Sequence, residues 1–241
     1  MGNLSSRRRS FMRPGIRALT AIGLVVGALI APTYVDAYNG STAASYADGH
    51  WAECGLSPYN GSPPSPYVCL SNDCANYVSE AMHAGGYRFI ANDPVLNPQD
   101  QWYWYNSSAK TTSWYQAAML YYFLVYYDHG TGSEGGGTLV THFVGVTASQ
   151  TYNSLSKGDM IFFDWTNDGA IDHVRLEMGW GTPPSTGYQS SYNNSYWKTG
   201  DWADQHTDPR YHDFWNGYYQ LSASMAATTH VYEVHIPSTS G

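Results

Sequence analysis

Cys74 is the residue whose type and position most clearly suggest chemistry, because it lies at the predicted start of a helix. Residues 71–73 (Ser-Asn-Asp) are types that cap helix N-termini, and the helix is predicted over 73–84. Unpaired backbone N–H groups and the helix dipole favour a thiolate at this end, so we expect a pKa below the value of about 8.5 for a free thiol. The position therefore predicts a nucleophile with an N–H group nearby for an oxyanion.

A base for this thiol is predicted at His173, which opens a strand. The apolar residues Val174, Leu176 and Met178 alternate along that strand and are suited to the core, so the ring of His173 faces the other side. A histidine at a strand start can reach a thiol on a helix packed against the sheet. A thiol and an imidazole in reach of each other can transfer acyl groups.

Helices are predicted in the first half of the chain and strands in the second. This order indicates an α+β domain, with helices followed by an antiparallel sheet. The predicted helices cover 41–53 (capped by Ser41), 73–84 and 113–127, the strands cover 138–147, 160–165, 171–180, 203–206 and 229–236, and long loops cover 55–70 and 182–200.

The residues around Cys74 also resemble a known family. Residues 73–79 (Asp-Cys-Ala-Asn-Tyr-Val-Ser) are similar to the catalytic helix of NlpC/P60 enzymes, and closer still to the putative amidase domain family of secreted bacterial proteins. His173-Val174 is similar to the start of the histidine strand in these enzymes, and 155–163 to the preceding strand. The resemblance spans roughly 42–210. It implies a papain-like, NlpC/P60-like α+β fold in which the nucleophile helix packs on an antiparallel sheet.

The resemblance implies a role for each matching residue. Cys74 would attack an amide carbonyl, and His173 would protonate the leaving amine. His206 matches the third polar residue, which orients the imidazole. Asp172 and Asp208 are alternatives for that third position, although Asp172 is the strand neighbour of His173 and so points to the opposite face.

Contacts with the substrate and the oxyanion are less well defined by the motif. The tyrosine that assists the oxyanion in NlpC/P60 enzymes has two candidate matches, Tyr59 and Tyr67, both upstream of the nucleophile. Asp73 adjoins the nucleophile and is a further candidate for contact with the substrate or the oxyanion, as is Trp102. Trp102 opens an aromatic run, 102–105, which could stack on sugar rings or fill the core.

Residues 1–37 are predicted to be an export signal. A twin-arginine-like segment at 8–13 precedes an apolar run at 18–31, and small residues follow just before residue 38. A Sec signal is the alternative. A stable membrane anchor is not expected, because the apolar run is short. We therefore expect a secreted protein with a single amidase-like domain over 38–241.

The charge balance argues against nucleic-acid binding. Five of the eleven basic residues and one of the nineteen acidic residues lie before residue 38. The remaining chain has six basic and eighteen acidic side chains, a net charge near −12. Such a surface repels phosphate backbones.

The chain has three cysteines, an odd number for an exported protein. A disulfide between Cys54 and Cys69 would close a loop rich in proline and glycine, stabilising the fold by about 3 kcal/mol, and would leave Cys74 free. The alternative pairs Cys69 with Cys74.

No metal or other cofactor is expected. His206 with His212, and His230 with His235, are the pairs that could suggest a metal, but neither has the spacing of a zinc-protease motif. The sequence therefore predicts a secreted thiol amidase or peptidase acting on cell-wall peptide or another amide. The alternative is a catalytically idle module that binds cell wall or glycan. The oligomeric state is not predicted.

Overall fold

The computed structural model describes residues 38–53, 67–91, 100–126, 136–146, 154–182, 200–207, 210–215 and 223–237. All of them belong to the unit Val35–Gly241. No helix in these ranges is long and apolar enough to cross a membrane. The predicted export signal and residues Cys54, Tyr59 and Asp208 lie outside the described residues.

Three helices precede the large sheet as predicted in type, with differences at their ends. The first begins one residue early because Asn39, rather than Ser41, is its cap and accepts a hydrogen bond from the Thr42 N–H at 2.9 Å. The third is divided at Gln116, whose backbone is extended. The helices are α1 Gly40–His50, α2 Cys74–Ala84, α3 Thr112–Tyr115, α4 Ala117–Val125 and α5 Ala223–Thr228.

Six strands form one antiparallel sheet in the order β3-β8-β4-β5-β6-β7. Strand β7 was not predicted, because its buried positions include the polar residues His212 and Asp213, which hide the usual alternation. A small hairpin, β1–β2, was also not predicted. The strands are β1 Trp104–Asn106, β2 Ala109–Lys110, β3 Thr138–Val144, β4 Met160–Asp164, β5 His173–Gly181, β6 Gly200–Gln205, β7 Arg210–Phe214 and β8 His230–His235.

The sheet buries apolar side chains on both faces. Helix α2 packs on β5 and contributes Val78 to a core that also contains Val174 and Leu176. The opposite face holds a smaller core that includes Phe163 and Trp215. This arrangement confirms the α+β class and places the N-terminus of α2, with Cys74, over the beginning of β5.

Candidate active site

Cys74 is the first residue of α2, and its side chain is buried, with 2% of its surface exposed. The thiol lies 3.6 Å from Asn72 Oδ1. It is also within hydrogen-bonding reach of the main chain at Ala75 and Val174. The sulfur therefore lies between the first turn of the helix and the start of β5, beside the residue that follows His173.

The expectation of a lowered thiol pKa was wrong for this conformation. Burial raises the pKa of Cys74 to about 11, while hydrogen bonds from the main chain at Val174 and Ala75 act in the opposite direction with smaller effect. The helix end does favour the thiolate, but removing the charged form from water costs more. The resting thiol is therefore protonated at neutral pH.

His173 is the first residue of β5 and is also buried. Its Nε2 lies 3.0 Å from Oε1 of Gln205. Because an amide oxygen can only accept a hydrogen bond, Nε2 carries the proton and Nδ1 is the basic nitrogen of the ring. Trp165 stacks on the imidazole with ring centroids 4.9 Å apart, which further limits its orientation.

Burial also keeps His173 neutral. The pKa of the imidazole falls to about 3, chiefly through desolvation and then through the positive charge of Arg175, while the hydrogen bond to Gln205 acts in the opposite direction. The thiol and the imidazole are therefore both neutral at pH 7.

The prediction that His206 orients His173 is corrected by its contacts. His206 Nδ1 lies 2.7 Å from Asp73 Oδ2, and Nε2 lies 2.9 Å from the carbonyl oxygen of His50. Both ring nitrogens are thus engaged elsewhere, and the preceding residue, Gln205, bonds to His173 instead. Neighbouring residues of a strand point to opposite faces, so a shift of one residue changes which side chain reaches the imidazole.

The alternatives for the third position are not supported by described contacts. Asp172 Oδ2 accepts hydrogen bonds from the N–H groups of Trp165 and Thr166, at 2.7 and 3.1 Å, and so stabilises the turn before β5. Asp208 lies outside the described residues.

Asp73, expected to contact substrate or an oxyanion, is instead a buried structural carboxylate. Its Oδ1 accepts hydrogen bonds from the Leu70 N–H at 2.7 Å and from Asn76 Nδ2 at 3.0 Å, and its Oδ2 pairs with His206. Its own N–H donates to Thr207 Oγ1 at 2.8 Å. These bonds hold the loop before α2 and thereby position the adjoining Cys74.

A buried polar network along α2, the helix that begins at Cys74, was not predicted. Asn76 Oδ1 accepts from Trp114 Nε1 at 2.8 Å, and its Nδ2 donates to Glu80 Oε1 at 2.7 Å. Tyr46 donates to Glu80 Oε2 at 3.0 Å. Burial, followed by the charge of Asp73, raises the pKa of Glu80 to about 8. The available signal was the spacing of residues 73, 76 and 80, which places their side chains on one helix face.

Both aromatic candidates belong to the packing of the core, Trp102 within it and Tyr67 partly buried against it. Trp102 is fully buried and donates through Nε1 to Ser79 Oγ at 3.2 Å. Tyr67 stacks on Trp114, with ring centroids 5.5 Å apart, and burial raises the pKa of its hydroxyl to about 12. Of the run 102–105, Tyr105 is the half-exposed member. The structure therefore favours a packing role for Trp102 over stacking on sugar.

Cys74 is not part of a disulfide. It is a free thiol, so the alternative pairing of Cys69 with Cys74 is excluded. Cys54, the predicted partner of Cys69, lies outside the described residues, and that pairing stays a prediction.

Among the described residues, one group of side chains could hold a metal ion. It comprises Asp48, Asp204 and His212. The sequence analysis paired His212 with His206, but His206 is bound to Asp73.

The family assignment follows from a match over most of the chain. The family model described as "Putative amidase domain" matches residues 37–232, which include Cys74, His173 and Gln205. The chain belongs to this family. The predicted resemblance is thereby confirmed, and the assignment indicates a hydrolase of the amidase type. No curated protein and no solved structure matches the chain.

Proposed function

We propose that this family member is a cysteine amidase in which Cys74 is the nucleophile and His173 the general base. The observation that carries the proposal is the position of the thiol, at the start of α2 and against the main chain of Val174. The adjacent His173 is held by Gln205 through Nε2, which leaves Nδ1 as the basic nitrogen.

Acylation begins from the neutral pair. As Cys74 Sγ attacks the amide carbonyl carbon, Nδ1 of His173 takes the thiol proton and a carbon–sulfur bond forms. The carbonyl oxygen becomes an oxyanion, which the N–H groups of the first turn of α2 are suited to stabilise. The imidazolium then gives its proton to the amine nitrogen. The carbon–nitrogen bond breaks, and a thioester remains on Cys74.

Deacylation uses the same base. Nδ1 of His173 takes a proton from a water molecule, whose oxygen attacks the thioester carbon. The carbon–sulfur bond then breaks, and the proton returns to the sulfur of Cys74. The products are an amine and a carboxylic acid, with no change of redox state and no cofactor in the reaction.

Cell-wall peptide is the substrate class that we propose. The predicted export signal would deliver the protein beyond the cytoplasmic membrane, where such amides are accessible. The acidic balance of the remaining chain favours such a substrate over nucleic acid. The proposal has three components with separate support. Secretion rests on the predicted signal at 1–37, the substrate class on that export and on the charge balance, and the thiol mechanism on Cys74 and His173.

The test compares the parent protein with Cys74→Ala and His173→Ala on purified cell-wall muropeptides. Mass spectrometry of the products should show hydrolysis of one amide by the parent and a loss of about a thousandfold or more in each variant. His142→Gln is the matched control, because His142 is an exposed histidine on β3.

Hydrolysis by Cys74→Ala at the parent rate would refute the thiol mechanism. If the parent and Cys74→Ala both bind insoluble cell wall and neither hydrolyses it, the glycan-binding alternative is supported instead. The same Cys74→Ala protein therefore serves both measurements.

A further inference from the structure

Three side chains from three elements converge on one point outside the catalytic residues. They are Asp48 on α1, Asp204 on β6 and His212 on β7. Each offers one ligand atom, and these atoms lie within 4.8 Å of one another. His212 Nε2 is 2.5 Å from Asp48 Oδ1.

The position of His212 is set by local structure. Its backbone is in the left-handed region, with φ of 49°, and its N–H donates to Asp204 Oδ1 at 2.6 Å. The ring stacks on Tyr211, with centroids 3.7 Å apart, and meets Trp202 edge-on at 4.3 Å. The imidazole is therefore held in place, as a metal ligand is by its surroundings.

The polar atoms of this group are incompletely satisfied. Asp204 has no exposed surface, and its Oδ2 has no hydrogen-bond partner within the described ranges. Nδ1 of His212, also buried, has none there either. Leaving a buried carboxylate oxygen without a partner is costly, and native proteins rarely do so without an ion or water.

Arg175 is a cation whose charge acts on Asp204. It donates to the carbonyl oxygens of Phe214 and Trp215, at 3.0 and 3.2 Å, and lies 3.5 Å from Asp213. These contacts place its guanidinium on the Asp213 side of β7.

We propose that Asp48, Asp204 and His212 bind a divalent transition-metal ion, with Zn²⁺ as the first candidate. Two carboxylates and one imidazole are a donor set that suits such ions, with bonds of about 2.0–2.2 Å. Asp48, whose side chain is 43% exposed, moves away from His212 to admit the ion. Water reaches the remaining coordination position from the same side.

The ion links α1 to β6 and β7 beside the active site. Asp204 immediately precedes Gln205, the residue that holds His173. Binding at this site should therefore stabilise the strand that carries Gln205. It takes no part in the bond-breaking steps, so its test does not depend on the proposed amidase reaction.

The experiment is titration of ZnCl₂ into the untagged Cys74→Ala protein by isothermal calorimetry, since that background lacks the free thiol of Cys74, which could itself bind zinc. We expect one site per chain, and a fall in affinity of tenfold or more in Asp204→Asn and in Asp48→Asn. His142→Gln is the control. Nε2 of His142 lies 3.0 Å from Nδ1 of His230, a histidine pair that is not part of the proposed site. Replacing His142 should therefore leave the affinity for zinc unchanged.

Circular dichroism and thermal melting accompany each titration. Zinc should raise the melting temperature of the Cys74→Ala protein and leave that of Asp48→Asn unchanged. If Asp204→Asn does not fold, the more exposed Asp48→Asn decides the matter. Absence of zinc binding, or equal affinity in Asp48→Asn, overturns the proposal, as does loss of binding in His142→Gln alone.

Discussion

Replacing Gln205 with glutamate tests whether this residue sets the pKa of His173, the proposed general base. The hydrogen bond from His173 Nε2 to Gln205 Oε1 spans 3.0 Å, so Gln205→Glu would put a carboxylate at the same distance. The negative charge stabilises the imidazolium, which the neutral amide does not. The pKa of His173 should therefore rise.

The size of this rise can be worked from the structure. An opposite charge at this distance shifts a pKa by about 1–3 units, or about 1.4–4 kcal/mol at 1.36 kcal/mol per unit. Starting from about 3, the pKa of His173 would move to about 4–6. Gln205→Ala instead leaves the buried Nε2–H unpaired at a cost of about 1–3 kcal/mol. That cost corresponds to a loss of about 5- to 150-fold in kcat/KM.

The assay is the pH profile of kcat/KM on a muropeptide, since its acid limb reports the free-enzyme base. The limb should move upward by about 1–3 pH units in Gln205→Glu, and should not move upward in Gln205→Ala. In parallel, iodoacetamide should alkylate Cys74 slowly at pH 7 in Gln205→Glu as well, because a pKa of about 4–6 still leaves His173 neutral at that pH. The parent should label slowly, as its thiol pKa is about 11.

The matched control is His206→Gln at the adjacent position. His206 pairs with Asp73, so this variant should lower the melting temperature and leave the acid limb in place. The reasoning is refuted if Gln205→Glu leaves the limb unchanged while His206→Gln moves it. Gln205→Ala with the parent kcat/KM would also refute it.

Three further substitutions, each followed by urea unfolding, test the polar network of Asn76 and Glu80 and the core around Trp102. The pKa of Glu80 is about 8 in the folded protein and 4.5 in the unfolded chain, so the free energy of unfolding of the parent should fall as pH rises through this window. Glu80→Gln should abolish that loss, which is at most about 5 kcal/mol between pH 5 and 8. An unchanged dependence of stability on pH in Glu80→Gln would contradict this reasoning. Asn76→Ala removes partners from Trp114 and Glu80 and should cost about 2–4 kcal/mol; a change under about 0.5 kcal/mol would contradict the network. Trp102→Ala should cost about 3–5 kcal/mol, and parent-like stability with weaker cell-wall binding would instead restore a surface role.

The sequence alone was sufficient for those features that depend on neighbouring residues. Capping types before Cys74 and the glycines after α2 predicted that helix, and alternation predicted β5 behind His173. The α+β class and the family followed from the order of these elements and from the motif around Cys74.

Which side chain meets His173 depended on tertiary structure. The register between β6 and its neighbours shifts near residues 177–179 and 203–205, and such irregularities change which residues share a face. Local alternation cannot reveal them, because they arise where strands from distant parts of the chain pair. The motif resemblance placed the third polar residue at His206, one position beyond Gln205, and only the pairing of the strands shows that Gln205 is the residue that reaches His173.

The protonation states of Cys74 and His173 also depended partly on local sequence and partly on tertiary packing. The helix end beside Cys74 could be predicted from sequence, and its effect on the thiol has the expected sign. Burial could not be predicted, because the water-free surroundings of Cys74 and His173 are made by residues from α2, β4, β5 and β6 together. Sequence therefore predicted Cys74 and His173 as the candidate groups, and only the packing of those elements decided that both are neutral at rest, since desolvation acts more strongly on a charge than the helix end does.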